Sequence, residues 1–488
     1  MQNFKVKITL FFIFFLTIEA STQQPLKLHD KNPNYLRFKG KPLLIISSSE
    51  HYGSVYNLDF DYKKHFETLS KDGLNYSRVF LGLWKMPKDN VFGLTETPFI
   101  TDSDKHLSPW VMVDGKYNLD QWNQPYFDRL NDVVAEAAKR DIILEINLFS
   151  SFYMKEAWET SPFYFKNNIN KLDSIDYRKS NTLYNGNALA YQEKLVRKIV
   201  SSVNKFDNIF FEIQNEPWSD NLNLQRYIKR KSNDPYTLSW QNNVEIANDV
   251  SLEWQRIMAS IIVNEEKKYP KKHLISQNIG NFSPLITLPD PNISIFSIHY
   301  ALPDAAIDNL KSNRVISLNE TGFMLQNDTN YRREAWRFIL GGGGLYNNLD
   351  YSFIPSKEDG THQIKESTPG WGGVIFRKQM GVLKSFMQNF DFVKMKPLQN
   401  IVVLQNSNSE VSVLGELGKQ YAMYFNYLNQ SELTLNIPSG NYLYQWINPI
   451  NGQVLEERSL NFNPKNNTIK MPNNTQELAL IILRNDKK

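Results

Sequence analysis

The sequence predicts an α/β fold, a (β/α)8 TIM barrel followed by a small C-terminal β-sandwich, and three observations lead there. Eight short, β-rich apolar runs alternate with longer segments of helical period between residues 42 and 390, the pattern of a parallel sheet wrapped by helices. No Gly-rich phosphate-binding turn follows the first run, where an open dinucleotide-binding sheet would want one. After Lys396-Pro397 the pattern changes to closely spaced alternating strands broken by turn residues, which describes a sandwich. An open doubly wound sheet is the alternative to the closed barrel.

The first strand is expected over Pro42–Ser48, past a polar leader. A helix over Asp61–Asp72 follows, with Phe66 and Leu69 at helical spacing and a stop at Gly73. Tyr76–Leu81 is the second strand. After a long irregular stretch, Phe127, Leu130, Val133, Val134 and Ala137 form one apolar stripe on a helix over Gln121–Arg140. Strand Ile142–Phe149 comes next. Leu195, Val196, Ile199 and Val203 share a face of the helix Ala188–Asn204, which leads into strand Ile209–Asn215. A helix over about Asn242–Tyr269 precedes strand His273–Asn278. Strands Ile293–His299 and Val315–Asn319 lie close together, with little room for full helices before them. Helix Tyr331–Leu340, strand Leu345–Ser352 and helix Val374–Phe390 complete the barrel. Gly341–Gly344 precede a strand instead of opening a helix, so close backbone packing is expected there and not a phosphate cradle.

The tail reads as strands Ile401–Gln405, Glu410–Leu414, Tyr421–Tyr427, Leu433–Ile437, Tyr442–Ile447, Ile469–Met471 and Ala479–Leu483. Pro438-Ser439-Gly440 and the hairpin dipeptide Asn451-Gly452 separate them. The chain thus divides into a signal segment (1–20), a barrel (33–395) and a β-domain (398–485).

Composition narrows the function. The 488 residues are 41% hydrophobic and 22% charged, in the ordinary globular range. There is no Cys, which excludes disulfides, thiol nucleophiles and thiolate zinc sites. A net charge of +4 without a long basic run leaves no footprint for nucleic acid. Neither His-Glu-x-x-His nor EF-hand spacing occurs, so no metal and no cofactor are expected. At the amino end Lys5 and Lys7 precede the apolar run Ile8–Ile18 and then Ala20 and Ser21, the order of a secretory signal. That run is shorter than the ~20 residues a finished membrane span needs. The mature chain is expected to be secreted or periplasmic, with no membrane span.

In such a barrel the working residues sit at the carboxyl ends of the strands. Two strands leave the barrel on a carboxylate: the fourth on Asn215-Glu216-Pro217-Trp218, the seventh on Asn319-Glu320-Thr321-Gly322-Phe323. A pair of carboxylates, one protonated and one ionised, is what cleavage of a glycosidic bond requires. Asn215 can donate to a sugar hydroxyl and Trp218 can offer a stacking face. The plain alternative is that both glutamates are ordinary loop-end residues.

The segment Ile209–Trp218 resembles the fourth-strand signature of clan A retaining glycoside hydrolases, particularly family-5-like cellulase relatives, and Asn319–Phe323 resembles their seventh-strand nucleophile. The resemblance covers about residues 33–395. It implies Glu216 as acid/base and Glu320 as nucleophile, and it matches Arg78 to the strand-two arginine of the clan. His299-Tyr300 resembles the clan's His-then-Tyr element, but here the two are adjacent instead of spaced by one residue. Strand alternation turns only one of them inward unless a bulge intervenes. The strand-eight Trp of the clan is missing, with Tyr351 or Trp371 as replacements. The tail is similar to the β-domain, often labelled collagen-binding, that trails such barrels; Tyr421–Asn426 and Trp446–Pro449 with Gly452 carry that likeness.

Other strand-end residues are weighed beside these. Glu50, His51 and Tyr52, after the first strand, can line a sugar site or simply form a packed turn ended by Gly53. Asn147, Asn278, Asn348 and Asp350 are candidate hydrogen-bonders to substrate. Glu145 and Glu212 lie inside strands and read as buried carboxylates, with Arg78 as a partner; His65 reads as a helix-surface residue. Asn319-Glu320-Thr321 matches a glycosylation sequon, and a glycan there would block the mouth. The expected activity is hydrolysis of a poly- or oligosaccharide. A catalytically idle carbohydrate-binding or adhesion protein and a transglycosylase are the competing readings. Loops Lys85–Asn118, Ser150–Asn187 and Trp218–Gln241 are expected to wall the cleft.

Overall fold

The computed structural model describes residues 24–485 except 88–91, 95, 100–103, 226–243, 324–325, 366–369, 404–408, 427–429 and 473–476. The signal segment expected at residues 1–20 lies outside the described residues. Eight parallel strands form the central sheet: β1 (Ile45–Ser49), β2 (Tyr76–Phe80), β3 (Ile143–Ser150), β4 (Ile209–Asn215), β5 (Ile275–Phe282), β6 (Ile295–His299), β7 (Val315–Glu320) and β8 (Leu345–Leu349). Their ladders run in the order β1-β8-β7-β6-β5-β4-β3-β2, a nearly closed barrel. Side chains bridge the seam between β1 and β2. The Ser47 hydroxyl donates to the Tyr76 carbonyl at 2.7 Å. The Asn75 amide donates to the Leu44 carbonyl at 3.0 Å and accepts from the Ile46 N–H at 3.3 Å.

The outer helices are α1 (Tyr62–Lys71), α2 (Gln124–Ala138), α3 (Ala188–Val203), α4 (Asp249–Glu266), α5 (Ala305–Asn309), α6 (Asp328–Leu340) and α7 (Val374–Met387). Two helices start later than their periodicity suggests. The residues before α2 finish a hairpin of Trp110–Val113 with Lys116–Trp122. Those before α4 form the strand Val244–Ala247, which extends the edge of β5, and Asn248 caps α4 by accepting from the Ser251 N–H at 3.2 Å. His65 is a correction: it is fully buried in α1, edge-on to Phe353 at 4.5 Å. Gly343 and Gly344 have no space for a Cβ, which would meet the Phe338 ring at 2.2 Å and the Asn34 carbonyl at 2.7 Å respectively. The glycine run is therefore close packing between α6 and β8.

The polar leader is itself structured. Strands Lys27–His29, Asn32–Phe38 and Lys41–Leu43 form a small sheet under the barrel. From it Leu26 and Leu36 close the barrel floor against Ile45, Tyr76, Ile143, Phe210, Ile295, Val315 and Leu345 at the amino ends of the strands. This face serves stability and leaves the opposite rim for chemistry.

After the barrel come a six-stranded antiparallel sheet and a three-stranded one. Along strand Gln420–Asn426, Tyr421, Met423 and Phe425 face the small sheet, where Leu433, Leu435 and Ile469 complete a separate core. The alternate residues Ala422 and Tyr424 face the barrel and join its core. There Trp336 of α6 stacks on Tyr424 with ring centroids 5.3 Å apart. Arg332 of α6 donates to Glu477 at 2.9 and 2.6 Å, and the Tyr424 hydroxyl reaches the same carboxylate at 2.8 Å. Among the described residues no helix is long and apolar enough to cross a membrane.

Candidate active site

The two carboxylates meet at the carboxyl rim of the barrel. Pro217 disfavours the right-handed helical region for the residue before it, and Glu216 takes the left-handed conformation, φ 49° and ψ 52°. The loop after β3 clasps this turn. The Ser151 hydroxyl donates to the Glu216 carbonyl at 2.6 Å, and Asp220 accepts the N–H groups of Phe152 at 3.0 Å and Tyr153 at 3.2 Å. Tyr153, itself at φ 63°, then donates its hydroxyl to Glu216 Oε2 at 2.8 Å. On the other side His299 Nδ1 lies 3.0 Å from Glu216 Oε1.

Glu320 ends β7. Arg78 Nη1 donates to its Oε2 at 2.8 Å and the Tyr300 hydroxyl to its Oε1 at 2.8 Å. His299 Nδ1 is 3.6 Å and His51 Nδ1 3.9 Å from Oε2. One ligand atom each from Glu216, His299 and Glu320 fall within 4.8 Å of one another. Those donors are already engaged by Arg78, Tyr300 and Tyr153, a set suited to holding and moving a proton.

Adjacency of His299 and Tyr300 does not stop both from pointing inward. The β6–β7 register slips between Ile298 and His299, pairing Ile298 with Leu318 and His299 with Glu320. Tyr300 then takes φ 50° and donates its N–H to the Glu320 carbonyl at 3.0 Å. The extra residue of that slip is Asn319 on β7, and it is the left-handed turn at Tyr300 that brings the second ring inward where alternation would have sent it outward.

Beneath lies a fully buried polar layer. Arg78 grips Glu212 in a two-toothed bond, Nε to Oε2 at 2.6 Å and Nη2 to Oε1 at 2.5 Å, and also donates to Asn215 Oδ1 at 2.7 Å. Asn147 and Asn278 donate to Glu212 at 2.9 and 2.5 Å. Asn278 Oδ1 also accepts the Glu216 N–H at 3.2 Å, so it ties the layer to the rim. Glu145 accepts from the Tyr76 hydroxyl and from Asn319 at 3.0 Å.

Burial sets the protonation states. It pushes Glu216 up to about 7, against the pull of the Tyr153 hydrogen bond and the Arg78 charge. It raises Glu320 as well, and the neighbouring Glu216 adds to the rise while His299 and Arg78 oppose it. Burial also lowers His299 to about 4, so the ring is neutral at pH 7.

The other residues expected to touch sugar have these surroundings. Trp218 is buried and stands edge-on to the His299 ring at 5.2 Å, so it backs the histidine. The Glu50 carboxylate turns onto the N–H groups of Tyr52 and Gly53, and burial pushes it up to about 8. Asn215 donates to the Tyr153 hydroxyl at 2.8 Å, and it and Asn278 are fully buried in the hydrogen-bond network. Asp350 is bound by Arg377 at 2.9 Å, and Asn348 is buried. Tyr351 stands near Glu320 at the end of β8, whereas the Trp371 indole is drawn off to Asp328 at 2.6 Å. Asn319 of the sequon is fully buried on Glu145, where no glycan can attach. Tyr153 was not among the expected residues; its signal is its place just past a strand end, in Ser150-Ser151-Phe152-Tyr153.

A nearly closed parallel barrel with two glutamates converging at its carboxyl rim defines the class to which the molecule can be compared. No protein-family model and no curated protein matches the chain by sequence. Solved structures match by fold. A glycoside hydrolase family 5 structure from Bacteroides vulgatus is 13% identical with a TM-score of 0.59, over 94% of this chain and 93% of that one. A candidate glycoside hydrolase from the same organism gives 11% identity and a TM-score of 0.64, over 96% and 83%. A third, described as a glycoside hydrolase, gives 13% and 0.59, over 95% and 98%. At such identities the likeness is one of fold, spanning barrel and β-domain together.

Proposed function

We propose that this protein is an exported retaining β-glycosidase of clan A that cleaves a poly- or oligosaccharide by double displacement. The observation that carries the reading is the approach of Glu216 and Glu320, with ligand atoms within 4.8 Å of each other. Retaining enzymes hold their carboxyl groups about 5–5.5 Å apart and inverting ones about 6.5–9.5 Å. Glu216, raised to about 7 by burial, carries the proton that the glycosidic oxygen receives as its bond to the anomeric carbon breaks. Glu320, steadied by Arg78 and Tyr300, forms the ester bond to that carbon. Glu216 then takes a proton from water as the water replaces Glu320. The fold likeness to glycoside hydrolases supports this assignment, and the amino-terminal signal pattern supports export. A screen of plant, algal and microbial glycans, with NMR of the first product formed, tests it. The expected anomer is the one in the substrate; an inverted product, or no cleavage of any glycan, overturns the reading.

The acid has a signature in pH. Activity requires protonated Glu216, so kcat/KM falls as pH rises through about 7. Glu320 must be ionised, so the rate also falls at low pH, from a point above the ordinary carboxylate range. The Tyr153 hydrogen bond lowers the Glu216 pKa. Tyr153→Phe is expected to move the alkaline limb upward by about one pH unit, the equivalent of one charge-assisted hydrogen bond. A pH–rate profile of the variant with an unmoved alkaline limb would separate Tyr153 from the acid.

A further inference from the structure

Resting on the glycosidase reading, we propose that the site is a blind pocket for one terminal sugar, so that the enzyme trims chains from the non-reducing end and does not cut them internally. The carboxylates are almost shut off from solvent, Glu216 at 8% and Glu320 at 3% exposure. A continuous run of rings joins them around the gap. Tyr153, which donates to Glu216, meets Phe92 edge-on at 5.1 Å. Phe92 meets Phe323 at 5.9 Å and 88°, so the loop after β2 touches the end of β7 across the mouth. Phe323 in turn contacts Tyr300, which donates to Glu320, at 6.4 Å and Tyr351 at 6.1 Å. Tyr52, which feels the charge of Glu320, stacks on Phe99 at 4.1 Å and packs on Phe80 at 4.5 Å.

The sugar being attacked must sit at Glu320, while its leaving group departs past Glu216. Cutting an interior bond needs room for further sugars beyond the attacked one. Here the Glu320 side is walled by Tyr300, Tyr351 and Tyr52 and bridged by the Phe92–Phe323 contact. Such a site takes one ring as an enclosed apolar pocket with a few fixed polar groups takes a ligand; a second ring would have to displace packed aromatics.

The test takes the full chain through a panel of 4-nitrophenyl β-glycosides to find the responding sugar, then a β-linked hexasaccharide of that sugar labelled at its reducing end. The expected result is cleavage of the aryl monoglycoside, release of free monosaccharide alone, and a labelled product that shortens by one residue at a time. Labelled fragments of two to four residues as first products overturn the pocket while leaving the hydrolase standing. Failure to cleave any aryl glycoside or oligosaccharide sinks the hydrolase reading and this inference with it. Phe92→Ala opens the bridge without touching either carboxylate, and disaccharide is expected among its first products. An unchanged product pattern in that variant overturns the bridge as the limit on chain length.

Discussion

Glu320→Gln is expected to lose turnover on the order of a million-fold, the scale on which a catalytic nucleophile is missed, while the protein stays folded. The amide has the shape of the carboxylate and its oxygen can still accept from Arg78, which keeps its two-toothed bond to Glu212. What is lost is the negative charge that, on the proposed mechanism, attacks the anomeric carbon. The check is paired: turnover on the aryl glycoside that the wild-type chain cleaves, and the thermal unfolding profile of both proteins. A folded variant retaining a tenth of the activity would remove Glu320 from the nucleophile's role.

Arg78→Met is expected to damage both fold and chemistry. The guanidinium is completely buried and is the cation shared by Glu212 and Glu320. Methionine fills much of the space but leaves Glu212 as an uncompensated charge in the barrel interior, a change that typically costs about 3–5 kcal/mol. Against a total stability of about 5–15 kcal/mol for ordinary proteins, that is a large fraction. Glu320 loses an opposing charge at the same time, so its pKa rises further and the acid limb of the rate profile moves to higher pH. Denaturant unfolding of the variant gives the first effect and a pH profile the second. Adding Glu212→Gln should restore part of the stability, because the stranded charge is then gone; a double variant no more stable than the single one would contradict this account.

Much of the barrel is legible in the sequence because fully buried parallel strands are continuous apolar runs. Ile209–Asn215 has its expected bounds as β4, and the helical stripes of α2 and α3 fall on the predicted residues. What the pattern hides is polar structure. The leader, residues 26–43, holds the barrel floor with Leu26 and Leu36 and with the half-buried Leu28, Phe38 and Leu43, too interspersed with polar residues for periodicity to register. Strand Val454–Phe462 is missed for a related reason: it is the edge of its sheet, carries Glu456, Glu457 and Arg458, and has little apolar alternation. Charged edges of this kind protect against unwanted pairing.

At the site, the strand-end rule brings out Glu216 and Glu320, and Arg78 comes from the resemblance to the strand-two arginine of the clan. The geometry around them is not legible, because it depends on two local departures from regular backbone. The left-handed turn at Tyr300 lets adjacent rings serve two carboxylates. The left-handed turn at Tyr153, held by Asp220, swings a hydroxyl onto the acid from a loop. Trp218 against the His299 ring and Glu50 on the Tyr52 and Gly53 N–H groups are further contacts that strand-end position alone does not specify.

The anchoring of α6 bears on how the chain reaches its final state. Arg332 and Glu477 are separated by 145 positions, with the arginine on the helix that follows the Glu320 strand. In order of synthesis that helix precedes the β-domain, and its first partners come from α7, where Gln379 accepts from Arg332 at 2.8 Å and Phe386 packs on Trp336 at 4.7 Å. Tyr424 and then Glu477 complete the cover. A chain cut between α7 and these strands would carry every residue of the proposed catalytic rim and still present a half-dressed flank to chaperones and proteases.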